Sequence, residues 1–235
     1  MAHGNRRRVA LLGLGLAVVA LGLPAGLPAA RAAEVAPAAL GGAGDAVKEL
    51  IGGASDAALD RLGKSGGFWN DPLARIALPG PLKKADKLLK YTDKVGLTDG
   101  LKRSLNTAAE RATAVAKPVF RKAVDDMSWQ DAAGILTGGD GAATQYFRDS
   151  AGDTLRGKMR PLVDKALRDA GATRQFAKLT RSVPLPLGMT DADLTNYVTD
   201  KATDGIFQAM AAEEKALRAD PVKAGKALLK ALTNQ

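Results

Sequence analysis

From residue 45 to residue 232, apolar side chains return at every third or fourth position, and no stretch alternates with period two. That spacing builds one apolar stripe after another along α-helices and leaves nothing to pair into a sheet. The chain is rich in Ala, Leu and Lys, and β-branched runs are absent. Such a sequence is restricted to an all-α fold. Without cysteine, its stability must come from the packing of those stripes.

Punctuation divides the pattern. A first helix is expected over 45–62, with Val47, Leu50, Ile51, Ala54, Ala58 and Leu62 inward. Residues 63–79 read as one long ordered loop. Pro81 opens a second helix striped by Leu82, Ala85, Leu88 and Leu89. A third is expected over 98–127, kinked at Pro118. Residues 128–131 read as a cap for a short helix to Leu136. Asp140 then caps a long helix bent at Pro161, and a short helix covers 174–181. Thr190 caps a helix to about residue 218, and Asp220-Pro221 opens the last one, over 221–232. The expectation is a single irregular bundle of about six to eight helices with Pro-kinked long members. No repeat or sustained heptad is present.

The N-terminal segment belongs to targeting rather than to the fold. Arg6, Arg7 and Arg8 precede an apolar run over 9–23, Pro24 and Pro28 break it, and Ala30-Arg31-Ala32 presents small residues to a signal peptidase. As a helix the run reaches about 22 Å, short of a hydrocarbon core of about 30 Å. Residues 1–32 are therefore expected to be a cleaved signal peptide, 33–44 a flexible leader and 45–235 a single helical domain. The expected location is the periplasm of a Gram-negative bacterium. Losing Arg6, Arg7, Arg8 and Arg31 lowers the net charge from +9 to +5. That mild excess does not point to nucleic acid.

Cleavage would also remove His3, the one histidine. A mature chain without His or Cys lacks the usual ligands of zinc and haem, the thiol nucleophile and the base of a Ser-His-Asp triad. No metal site or cofactor is expected, and no catalytic residue is assigned. Gly63-Lys64-Ser65-Gly66-Gly67 spells G-x-S-x-G, yet that motif needs a preceding strand and a histidine. A helix end with a Gly-rich exit suits it better. A P-loop fails because Ala58 stands where its first Gly belongs. Asp191-Ala192-Asp193 opens like a calcium loop, but Asn196 and Ala202 replace the required Gly and Glu. The i,i+4 pairs Asp149/Asp153 and Asp200/Asp204 suit solvated helix faces better than a metal site.

Polar residues that interrupt apolar stripes are the stronger candidates. Glu110 lies beside the stripe of the third helix, one turn after Asn106, and Glu213 and Glu214 interrupt the stripe of Ile206, Met210 and Leu217. A carboxylate near a core requires a partner, and Arg148 is a cation that could supply it to Glu110; a buried structural network is the first reading of these acids and a polar anchor inside a ligand pocket the second. Phe68-Trp69, two of ten aromatics, sit in the long loop. They suit docking of that loop on the helices, a binding lip or a membrane-interface anchor. Lys83, Lys84, Lys87 and Lys90 share one side of the second helix, first a solvated face and, beside an exposed Trp, one that would suit anionic headgroups.

Five segments carry a family resemblance: Gly67-Phe68-Trp69-Asn70-Asp71-Pro72 with Arg75-Ile76-Ala77-Leu78-Pro79; Leu105-Asn106-Thr107-Ala108-Ala109-Glu110; Met127-Ser128-Trp129-Gln130-Asp131-Ala132; Gly141-Ala142-Ala143-Thr144-Gln145-Tyr146-Phe147-Arg148; and Asp193-Leu194-Thr195-Asn196-Tyr197-Val198-Thr199 with Asp204-Gly205-Ile206-Phe207 and Glu213-Glu214. In that order the chain resembles an uncharacterised exported bacterial family, domain of unknown function 4197. Ala77 departs from a proline usual there. The resemblance implies an all-helical periplasmic protein and carries over no activity. Its motifs carry the polar residues Asn70, Thr144 and Thr199 and, as the ones to look for in one place, Asn106, Glu110, Tyr146, Arg148, Tyr197 and Glu213. With Phe68 and Trp69 the latter form the candidate binding set. The leading expectation is a non-enzymatic binding protein that holds an apolar or amphipathic ligand between helices, with Glu110 and Arg148 at the polar end. An envelope scaffold using Phe68-Trp69 is the second reading. A hydrolase or lyase built on Glu110 and Glu213 is the third. Peripheral contact with an anionic membrane surface is compatible with the first two.

Overall fold

A computed structural model of the protein describes residues 37–89, 96–183 and 188–220. The expected signal peptide, the start of the leader and the last helix lie outside the described residues. Within them the chain forms eight helices: α1 (Pro37–Leu62), α2 (Gly80–Leu89), α3 (Leu97–Ala114), α4 (Lys117–Asp125), α5 (Ala132–Thr137), α6 (Ala142–Asp169), α7 (Ala172–Ser182) and α8 (Asp191–Ala219). No strand occurs among the described residues. The all-α bundle expected from the periodicity is the fold.

Local chemistry sets the helix limits. Helix α1 begins at Pro37, so residues 37–44 are helical rather than leader. The helix expected over 98–127 is two helices. Pro118 cannot donate a hydrogen bond to the carbonyl of residue 114, so α3 stops at Ala114 and the proline falls in the first turn of α4, where its missing N–H costs nothing. In α6 the cap is Gly141 with φ 81°, not Asp140, which pairs instead with Lys215 at 2.8 Å. Pro161 lies inside α6. Helix α8 opens as the sequence indicates, with a reciprocal capping box: the Asp193 amide donates to Thr190 Oγ1 at 3.2 Å and the Thr190 amide to Asp193 Oδ2 at 2.8 Å.

The apolar stripes meet in one contiguous core. The most extensive packing joins α8 to α6 and to α1, and α3 to α6. Helices α6 and α8 are antiparallel, with cross-links whose numbers rise on one as they fall on the other: Arg148 to Asp204 at 2.6 Å, Arg156 to Asp200 at 2.8 Å and Arg160 to Asn196 at 2.9 Å. At one end of this pair Phe147 meets Phe207 edge-on at 6.0 Å between centroids, and Phe120 of α4 lies 6.3 Å from Phe207. The expected stripes, including Leu101, Leu105, Ala108, Ala112, Val115, Val119 and Ala123 for residues 98–127, are buried or partly buried with two exceptions. Leu88 of α2 and Val115, just after α3, are exposed.

Candidate functional site

Residues 63–79 form an ordered strap laid across α3 and α8. Its start is the Gly-rich exit from α1. Gly63 N–H donates to the Leu59 carbonyl at 2.8 Å, and Ser65 is exposed. Gly67 is obligatory: a Cβ there would lie 2.3 Å from the Leu62 carbonyl oxygen. Phe68 then plunges into the core, fully buried against α8. Gly205 makes room for it, since a Cβ on that residue would stand 3.1 Å from the Phe68 ring. From residue 74 to 78 the strap alternates like a half-buried strand, with Ala74, Ile76 and Leu78 inward and Arg75 and Ala77 outward.

An isolated strap would leave its backbone groups unpaired against an apolar helix surface, which is costly. Polar residues that interrupt the helix stripes supply the partners. Glu110 Oε1 accepts from the amides of Phe68 and Trp69, both at 3.2 Å. Asn106 Oδ1 accepts from the Ile76 amide at 2.8 Å, while its Nδ2 donates to the Ile76 carbonyl at 2.9 Å and to Lys102 in its own helix at 2.8 Å. Tyr197 donates its hydroxyl to the Ala77 carbonyl at 2.9 Å, and burial pushes its phenol pKa up. Arg61 bridges Asp71 at 2.6 Å and Glu213 at 3.3 Å, tying the strap to both α1 and α8.

Asn106, Glu110 and Tyr197 thus fasten the strap at separate points along its length, Phe68 is part of it, and Glu213 reaches it only through Arg61. Glu110 takes backbone amides where Arg148 was the candidate partner. Arg148 pairs with Asp204 and lies 5.6 Å from the Phe207 ring centroid. Tyr146 belongs elsewhere, donating to the Ser128 carbonyl at 3.2 Å and packing on Trp129 at 5.6 Å. Phe68 is core rather than lip. Trp69 is half-buried between two guanidinium groups, Arg75 at 5.0 Å and Arg103 at 4.7 Å from its ring centroid. The acidic pairs are occupied as well: Asp149 accepts from Gln145, and Asp153 and Asp200 both pair with Arg156. Among the described residues, no three His, Cys, Asp or Glu side chains cluster as a metal site.

Sequence reasoning passed over Asp71, Arg61 and Arg75. Asp71 was legible in principle, as an acid just before a proline at a turn. Burial disfavours its charge, but the amides of Ala74 and Leu73 and the Arg61 guanidinium outweigh that and hold its pKa below the usual carboxylate value. A carboxyl whose folded pKa is depressed stabilises the fold above its unfolded pKa and loses that contribution as pH falls through the folded value. Amide exchange at Leu73 and Ala74, corrected for intrinsic rates, is therefore expected to accelerate as pH drops below 3.8. In Asp71→Asn that acid step should vanish. An identical step in the variant would assign it to another group.

Two clefts flank the outward side of the strap. One, of about 300 Å³, has Ile76 and Leu78 in its lining, with Trp69, Lys83, Asp86 and Lys102 around them. The other, of about 310 Å³, is lined by Leu73, Tyr197, Lys201, Asp204 and Gln208, among others. Arg75, Ala77 and Lys83 belong to both. Each cleft combines apolar lining with basic side chains and one carboxylate, Asp86 in the first and Asp204 in the second, and neither is lined by Glu110 or Glu213.

The profile of a family described as "Protein of unknown function (DUF4197)" matches residues 41–233, and the chain belongs to that family. Neither the curated proteins nor the solved structures contain a match to it.

Proposed function

We propose that this member of the family is an exported, non-enzymatic periplasmic binding protein for an amphipathic anion, seated in the paired clefts beside the strap rather than between the helices. One observation carries the reading. Two clefts of about 300 and 310 Å³ share a wall made by Arg75, Ala77 and Lys83. Those volumes are at the lower end of small-molecule sites. Leu73, Ala77 and the half-buried Trp69 ring suit an acyl or aromatic body, and Arg75, Lys83 and Lys201 suit a carboxylate or phosphate head, while Lys102 is already paired with Asp86 and Asp99. Asn106 and Glu110 serve this site indirectly, by holding the strap that forms the shared wall, and Tyr197 both holds the strap and lines the second cleft. Export rests on the basic and apolar segments and the Ala-Arg-Ala site expected within residues 1–32. N-terminal sequencing of protein from a periplasmic fraction should then begin at Ala33.

Native mass spectrometry of that protein, with lipid extraction, is expected to find a bound amphipathic anion. Competition with a fluorescent fatty acid should weaken at least about tenfold in Arg75→Glu/Lys83→Glu, since two charge-assisted contacts are lost and two repulsions gained. Absence of any co-purified or competing ligand, or equal affinity in the double variant, would overturn the proposal.

A further inference from the structure

We propose that the face bearing α2 and the outward tip of the strap docks on an anionic lipid bilayer. The tip is Leu73, 79% exposed, and it lines the second cleft together with Lys83. On α2 the exposed side carries Lys83, Lys84 and Lys87, and Leu88, 50% exposed, stands one turn after Lys84. Lys83, Lys84, Lys87 and Lys201 form no ion pair with any described residue. Lys117, Lys122, Lys165 and Lys215 each have a carboxylate within 3 Å. Lys64, Lys158 and Lys178 also lack an ion pair with any described residue, but what marks the α2 face is three such lysines on one short helix beside an exposed leucine. Two exposed leucines among unneutralised lysines match the two layers of a membrane surface, the leucines entering the acyl boundary while the ammonium groups stay among phosphates. The contact is peripheral, because no helix among the described residues is long and apolar enough to cross a membrane.

This surface replaces the anchor expected from Phe68-Trp69, since Phe68 is core and Trp69 is held between arginines. Docking would bring both cleft mouths close to a source of amphipathic anions, yet the surface needs no bound ligand. Docking and cleft binding therefore fail independently. Lys84 and Lys87 line neither cleft.

Co-sedimentation with vesicles separates the outcomes. The protein is expected to bind phosphatidylcholine vesicles containing phosphatidylglycerol, to ignore pure phosphatidylcholine and to be released by salt. Lys84→Glu/Lys87→Glu should weaken that binding at least about tenfold, as each lysine contributes several-fold, while fluorescent fatty-acid affinity stays unchanged. Leu73→Asp should weaken it as well. Lys122→Glu/Lys165→Glu makes the same change in net charge on α4 and α6, at lysines paired with Asp126 and Asp169 that line neither cleft, and should bind as the parent does. Circular dichroism and thermal melting of each variant are the control, expected to match the parent because the substituted side chains are exposed. Equal binding to neutral vesicles, no binding to anionic ones, or equal losses in the two double variants would each overturn the proposal.

Discussion

Glu214→Ala is expected to destabilise the protein by about 3–5 kcal/mol, the range for breaking one partner out of a buried charge pair. Glu214 is 0% exposed and serves three donors. Oε1 accepts from the Ala143 amide at 3.1 Å and from Arg218 Nε at 2.8 Å, and Oε2 accepts from the Thr144 amide at 2.8 Å. The carboxylate therefore does for α6 what its N-cap Gly141, with no side chain, cannot do: it satisfies amide donors of the first turn at the positive end of the helix dipole. Arg218 is equally committed. Its Nη1 donates to the Leu136 carbonyl at 2.7 Å and its Nη2 to that of Ile135 at 2.9 Å, closing the C-terminal end of α5. Alanine at 214 strands two helix amides and a nearly buried guanidinium together. Glu214→Gln keeps the shape and one acceptor and should cost less. Arg218→Lys should fall between the two, because a point charge cannot span a carboxylate and two carbonyls. Urea unfolding with an unchanged m-value is the measurement. A loss below about 1 kcal/mol for Glu214→Ala would mean that water replaces the carboxylate at the α6 terminus.

The same pair shows where sequence reading stops. Periodicity places Glu213 and Glu214 side by side at the border of one stripe, and neighbours on a helix differ by only about 100° in direction. Which of them turns inward is decided by α5 and α6, far away in sequence. Glu213 emerges half-exposed beside Arg61, and Glu214 enters the core. The helices themselves were legible, because a stripe such as Leu194, Val198, Ala202, Ile206 and Met210 has no other use. The division at Pro118 was legible as a disturbance but not as a break. The partners of Glu110, Asn106 and Tyr197 were not legible at all. They are backbone amides and carbonyls, which every residue carries, so no side-chain complement marks them. Pairing Glu110 with Arg148 followed the sound rule that buried acids seek cations and missed that two amides answer the same need. The clefts were hidden for a related reason. They exist only once the strap is laid down, and the alternation of residues 74–78 is too short to stand out from a loop.

Asn106→Asp should be nearly as damaging as loss of Glu214, at about 2–4 kcal/mol near neutral pH, although it changes a single group. The retained Oδ1 still accepts from the Ile76 amide. The other position, however, exchanges a donor for an anionic oxygen facing the carbonyls of Ile76 and Lys102 at 2.9 and 2.8 Å. Asn106→Ala removes the bonds without that repulsion and should be the milder variant, which makes the order of the two diagnostic. Acid gives a second signature. Burial and two facing carbonyls must raise the pKa of the new carboxyl above its unfolded value of about 3.9. The protonated form can donate again, so the deficit relative to wild type should be full above the raised folded pKa and shrink as pH falls through it. Contributions common to both proteins, Asp71 among them, cancel in that difference. Limited proteolysis within residues 63–79 should rise in parallel with the deficit, since Asn106 fastens the strap at its middle. Because that strap is the wall shared by both clefts, fluorescent fatty-acid affinity should fall with it and recover in acid relative to wild type. If stability falls while cleft binding persists, the clefts do not depend on the strap, and the family motif at Asn106 serves the fold alone.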